Sequence, residues 1–120
     1  MSDSGKITYS DGSIYTGEIA NGFPQGKGQF NWSNGEVYKG EVNAGKPHGW
    51  GTLTLTDSSG TIVRKYDGQW KDGKKHGYGH DIDPETHGDY QGKYQFGMRH
   101  GKGAFYYTNG ATYEVWIFSS

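Results

Sequence analysis

The sequence predicts an all-β protein: a single-layer, meandering antiparallel sheet of about five consecutive β-hairpins, twisted and elongated. Three observations predict it. Glycine recurs in a fixed frame behind tyrosine: with Tyr38 as zero in YKGEVNAGKPHGWG, Gly falls at plus 2, plus 7, plus 11 and plus 13. Tyr15, Tyr66 and Tyr90 open the same frame, so four copies place 16 of the 22 glycines and chance is excluded. Next, Asp11-Gly12, Asn34-Gly35 and Asn109-Gly110 each sit between alternating segments, a dipeptide signal for a tight type I′ hairpin turn. Lastly, side chains alternate between apolar and polar on either side of those turns, as in half-buried strands.

The elements follow in order. Residues 1–4 are expected as a flexible N-terminus and 5–120 as one repeat domain. Hairpins are expected near 5–19, 28–42, 51–70, 79–94 and 103–118, joined by eight-residue connectors at 20–27, 43–50, 71–78 and 95–102. The third and fourth hairpins carry longer tips, near 57–65 and 83–88, where Pro84 cannot donate to a ladder. Each Tyr shares a face with plus 2 and plus 4. Tyr15, Tyr38, Trp70, Tyr90 and Tyr94 therefore lie on one aromatic face, joined by Ile7, Phe30, Trp32, Leu53, Leu55 and Phe105 from the partner strands. Thr16, Glu18, Lys39, Glu41, Asp67 and Gln69 face the other way. Ten strands at about 4.8 Å spacing give a ribbon roughly 45 Å long, coiled by strand twist.

Composition bounds the rest. Apolar residues make up 31% of the chain, which alone suggests disorder, but aromatics at 16% argue for a thin, ordered sheet. No apolar run reaches membrane-spanning length, and no signal peptide is expected. The absence of Cys excludes disulfides and thiolate metal sites and fits a cytoplasmic protein. A net charge of -1 selects no partner by itself.

The motif Y-x-G-x-x-x-x-G-x-x-x-G-x-G resembles the MORN repeat, the membrane occupation and recognition nexus family. The resemblance runs from Gly5 to Tyr113, and at the last Tyr, Val115 stands where Gly is expected. It implies structural parts of cytoskeletal and ciliary assemblies, of the radial-spoke-head or axonemal type. The family's name suggests a lipid surface instead.

No nucleophile motif and no phosphate loop is present, so no catalytic residue and no cofactor is expected. His48, His76 and His100 recur at plus 10, one repeat apart, too dispersed to converge on a metal. The run HDIDPETHGD (His80, Asp81, Asp83, Glu85, His87, Asp89) lacks the spacing of a calcium loop. No metal site is expected. The aromatic face is read as a groove for a protein partner, since large exposed apolar patches mark such sites. The connectors carry a charge of +6 and the remainder of the chain -7. One long edge is thus basic, with Lys46, Lys74, Lys75, Arg99 and Lys102. It serves either as edge protection or as an attachment edge for acidic proteins or anionic lipid. Nucleic acid is not expected, because the aromatic face is not on that edge. The last strand (Val115, Trp116, Ile117, Phe118) is apolar on both faces. It is read as docking onto a partner or a second copy, the alternative being a cap on its own sheet.

Overall fold

The computed structural model describes residues 3–83 and 88–117. Ten strands run in chain order: β1 (Asp3–Thr8), β2 (Ile14–Ala20), β3 (Phe23–Asn31), β4 (Glu36–Asn43), β5 (Lys46–Thr56), β6 (Ile62–Lys71), β7 (Lys74–Asp83), β8 (Gly88–Gln95), β9 (Met98–Tyr107) and β10 (Thr112–Ile117). Each pairs antiparallel with the next, so the sheet is an open meander from β1 to β10. No helix occurs among the described residues. The expected all-β hairpin array is what is observed, and its longest dimension is 46 Å. The first strand begins at Asp3, which pairs with Ile19. Pro84, Glu85, His87 and Phe118, singled out from the sequence, lie outside the described residues.

The turns differ from expectation. The Asp-Gly and Asn-Gly tips are three-residue loops, not type I′ turns. At the first, the Gly12 N–H donates to the Tyr9 carbonyl (3.0 Å) and the Tyr9 N–H to the Ser13 carbonyl (2.8 Å); only Gly12 has positive φ (93°). This is a type I turn closed by a glycine bulge. The same pattern recurs at Asp57–Thr61, so the long third tip is a standard turn on longer strands, with an irregularity beside Leu55. The type I′ turns lie at the opposite edge. Asn21-Gly22, Ala44-Gly45, Asp72-Gly73 and Phe96-Gly97 have positive φ at both residues. The expected eight-residue connectors are therefore strand, turn, strand. Their bulge glycines made them read as loop.

Successive repeats are joined through these turns. The N–H groups of Gly45, Gly73 and Gly97 donate to the carbonyls of Pro24, Pro47 and Lys75 in the preceding repeat, at 3.0, 2.9 and 3.0 Å.

Candidate functional site

The repeating unit is a tyrosine laid over glycine. Tyr15 faces a Gly17–Gly28 backbone pair; Tyr38, Tyr66 and Tyr90 face the pairs Gly40–Gly51, Gly68–Gly79 and Gly92–Gly103. A Cβ on Gly28, Gly51, Gly79 or Gly103 would overlap the tyrosine ring itself. A Cβ on Gly17 or Gly68 would first meet the Cα of the paired glycine, so the plus 2 Gly answers to the neighbouring backbone before any ring. Each hydroxyl then donates to the carbonyl three residues on: Tyr15 to Glu18 (2.7 Å), Tyr38 to Glu41 (2.6 Å), Tyr66 to Gln69 (2.9 Å) and Tyr90 to Lys93 (3.3 Å).

The aromatic face is consequently not an open groove. Tyr15, Tyr38, Trp70, Tyr90 and Tyr94, read from the sequence as a partner-binding surface, are all buried, none more than 7% exposed. The rings cover one another: Trp70 lies edge-on to Tyr38 and Tyr66, at 5.3 and 5.1 Å, and Tyr94 edge-on to Tyr66 and Tyr90, at 5.2 and 5.5 Å. Trp70 Nε1 donates to the Gly51 carbonyl (3.1 Å), which satisfies its one polar group. Burial pushes the hydroxyls of Tyr38, Tyr66 and Tyr94 far above their ordinary pKa. The carboxylate of Glu41 acts in the same sense on Tyr38, and that of Asp81 on Tyr66 and Tyr94. This face is the core.

Asp81 sits inside that core, opposite Tyr66 and Tyr90, where neighbouring repeats carry Phe30, Leu53 and Phe105. Its carboxylate lies 3.5 Å from Lys75 Nζ and 3.6 Å from Arg64, and accepts from the Tyr94 hydroxyl at 3.3 Å. Lys75 Nζ also stands over the rings of Tyr66 (4.9 Å) and Tyr94 (5.7 Å). Arg99 stands over Tyr90 (5.0 Å) and Phe105 (5.1 Å). Two of the five cations assigned to the basic edge thus reach over rings of the aromatic face from the plus 9 position after the turn; Lys75 is half-buried there, while Arg99 stays exposed. Lys46, Lys74 and Lys102 are exposed as expected.

The C-terminal strand divides as its alternation requires. Val115 and Ile117 pack against the core, while Trp116 is 67% exposed on the outer face. That outer face was expected to be polar. It carries Trp50, Tyr78 and Tyr106 as well, exposed by 57%, 56% and 41%. The sequence signal was present: Trp50 and Tyr78 occupy plus 12, inside the stretch read as connector, where strand parity was not applied. Among the described residues no group of three or more His, Asp or Glu is placed to hold a metal. His48 Nδ1 receives the Asp72 N–H (3.4 Å) of the next repeat's turn, and His80 pairs with Asp89 (3.1 Å).

A family model for the MORN repeat matches residues 15–37, 38–60, 66–80 and 90–112, more than half of the chain. The chain belongs to the MORN-repeat family. Comparison with curated proteins returned no match. The four matched MORN segments each begin on a tyrosine that lies over a glycine pair, so the family signature is the imprint of this ring-on-backbone contact. MORN is a non-catalytic repeat type, and no described helix is long and apolar enough to cross a membrane. The side chains left over once the MORN frame is accounted for are the outer aromatics, the exposed lysines and the last strand.

Proposed function

We propose that this chain is a non-catalytic MORN-repeat scaffold that binds protein partners within a cytoskeletal or ciliary assembly. The observation that supports this most is the C-terminal end of the sheet. Trp116 is 67% exposed on the outer face of β10 and Tyr113 58% exposed on the other, and among the described residues nothing pairs with the outer edge of β10. An exposed indole next to an unpaired strand edge favours strand addition by a partner or a second copy. Capture from a cytoskeletal extract should fall sharply for Trp116→Ser and for a chain truncated after Thr112, with the far-ultraviolet spectrum retained. Capture unaffected by both changes would sink this reading.

A second reading has its own support. Phe23, Phe96 and Met98 are exposed by 59%, 69% and 53% along the same edge as Lys46 and Lys74. Apolar tips among lysines suit an anionic lipid surface. Cosedimentation with phosphatidylserine vesicles that is lost on adding salt, and lost in Lys46→Glu/Lys74→Glu, would favour it over the scaffold.

A further inference from the structure

In the first three repeats the plus 3 side chain caps the backbone of the next strand. Glu18 Oε2 accepts the Lys27 N–H at 2.6 Å, Glu41 Oε2 the Trp50 N–H at 2.6 Å, and Gln69 Oε1 the Tyr78 N–H at 2.7 Å. The reason is the bulge. Register slips by the same amount between Gly17 and Ile19, Gly40 and Val42, and Gly68 and Trp70. One amide per repeat is thereby turned away from the ladder, and in the first three repeats the plus 3 side chain supplies its acceptor at the surface.

The fourth repeat keeps the bulge, between Gly92 and Tyr94, and loses the acceptor. Its plus 3 residue is Lys93, a side chain with donors only. In the first three repeats the capping Cδ lies 3.0 Å from the point where a Cβ on the facing glycine would stand; the Cδ of Lys93 lies 4.0 Å away, over Gly101. The amide in question belongs to Lys102. Around it an open trough of about 540 Å³ is lined by Lys93, His100 and Lys102 and walled by Tyr78, Tyr106 and Trp116. Among the described residues neither lysine has an ion-pair partner, and His100 Nδ1 is enclosed with no hydrogen bond. Glu114 also lines the trough but forms no ion pair with either lysine among the described residues.

We propose that this trough is a carboxylate site, filled by a glutamate side chain from an extended segment of a protein partner. The incoming oxygen takes the place that Glu18 and Glu41 fill in their own repeats. It accepts the Lys102 N–H, and the ammonium groups of Lys93 and Lys102 neutralise it. The aromatic walls cover the apolar part of the segment. Carboxylate is favoured over phosphate because the homologous positions are built around carboxylate and amide oxygens with a single N–H. The source of the glutamate rests on the scaffold reading; the site itself does not.

The test is a titration of the full ¹⁵N-labelled chain with N-acetylglutamate N-methylamide, with the glutamine analogue and inorganic phosphate as separate arms. The Lys102 amide proton should move downfield with the glutamate probe and respond at least about tenfold more weakly to the glutamine one, whose amide oxygen can accept the N–H but brings no charge to Lys93 and Lys102. Lys93→Glu restores the cap in cis, so this variant should fold, show a Lys102 amide already shifted downfield, and bind the probe at least about tenfold more weakly. An unmoved Lys102 amide in the wild type, or an equal response in Lys93→Glu, overturns the site. Tighter binding of phosphate overturns the carboxylate assignment and points to a headgroup. Trp116-dependent capture that survives a failed titration would leave the scaffold standing without this site. A positive titration with failed capture would do the opposite.

Discussion

Gly51→Ala probes the contact on which the whole array depends. Gly51 has no positive φ, so its backbone tolerates alanine. The new Cβ would instead run into the ring of Tyr38, which is fully buried. Either the strand shifts outward or the ring leaves its place, which also loses the 2.6 Å hydrogen bond to Glu41 and the edge-on contact with Trp70. Overpacking costs roughly 1–3 kcal/mol and the hydrogen bond about 1 kcal/mol, so the expected loss is about 2–4 kcal/mol. Two comparisons isolate the cause. Gly35→Ala at a tip, with φ of 94° and nearly open space, should cost only about 1 kcal/mol through its backbone. Lys39→Ala on the outer face should stay within about 0.5 kcal/mol. Urea unfolding followed by far-ultraviolet dichroism measures all three. The decisive experiment is a double-mutant cycle, because in a Tyr38→Ala background the ring is gone and Gly51→Ala should cost almost nothing. Additive effects would refute the ring-over-glycine explanation.

Other expectations follow from the same geometry. Lys75→Met leaves the buried Asp81 with the Tyr94 hydroxyl and only the more exposed Arg64 as a cation, and should destabilise by about 1–3 kcal/mol in thermal unfolding; Lys75→Met/Asp81→Leu should recover most of that or exceed wild type. Ala44→Asn and Phe96→Asn place a residue suited to left-handed backbone at the type I′ turns and should each stabilise by roughly 0.5–1 kcal/mol in urea, where a loss would contradict the turn assignment. Tyr15, Tyr38, Tyr66, Tyr90 and Tyr94 have raised folded pKa values, so the unfolded chain releases their protons first as pH rises. Stability is therefore whole below about pH 10 and falls above it. Tyrosinate absorbance from these rings should appear together with loss of β dichroism, and ionisation with the sheet intact would show that the rings are not core.

Most of the fold was legible in the chain because one contact is written four times. A tyrosine and the glycines it covers leave a fixed spacing in the sequence, and strand parity then sorts Ile7, Phe30 and Leu53 onto one side. The turns were misassigned because Asn34-Gly35 and Asn109-Gly110 match the type I′ dipeptide without adopting it; Asn21-Gly22 and Asp72-Gly73, which match and adopt it, fell inside stretches read as connector, and Ala44-Gly45 and Phe96-Gly97 adopt it without matching. There the spacing to the bulge, not the local residue preference, selects the turn. The aromatic face was read as open because a flat sheet cannot cover its own rings. The edge-on stacking of Trp70 and Tyr94 between tyrosines is a tertiary fact with no local mark. Lys75 was placed outside for the same reason: in the sequence a cation beside a turn looks solvated, and only the fold puts a ring beneath it; Arg99 gains a ring as well but stays exposed.

The cross-repeat contact has a direction. Each tyrosine reaches forward onto a glycine of the following strand, and each turn amide reaches back to the carbonyl of the repeat before it. Any repeat therefore presents the same socket ahead and the same plug behind. Excising residues 38–65 would set Tyr66 directly after the turn that now precedes Tyr38, and the joint so formed would be made of familiar parts. A lineage of such chains can lengthen or shorten by whole units through unequal recombination without inventing a new core, and the distance spanned between the two ends becomes a heritable trait counted in repeats.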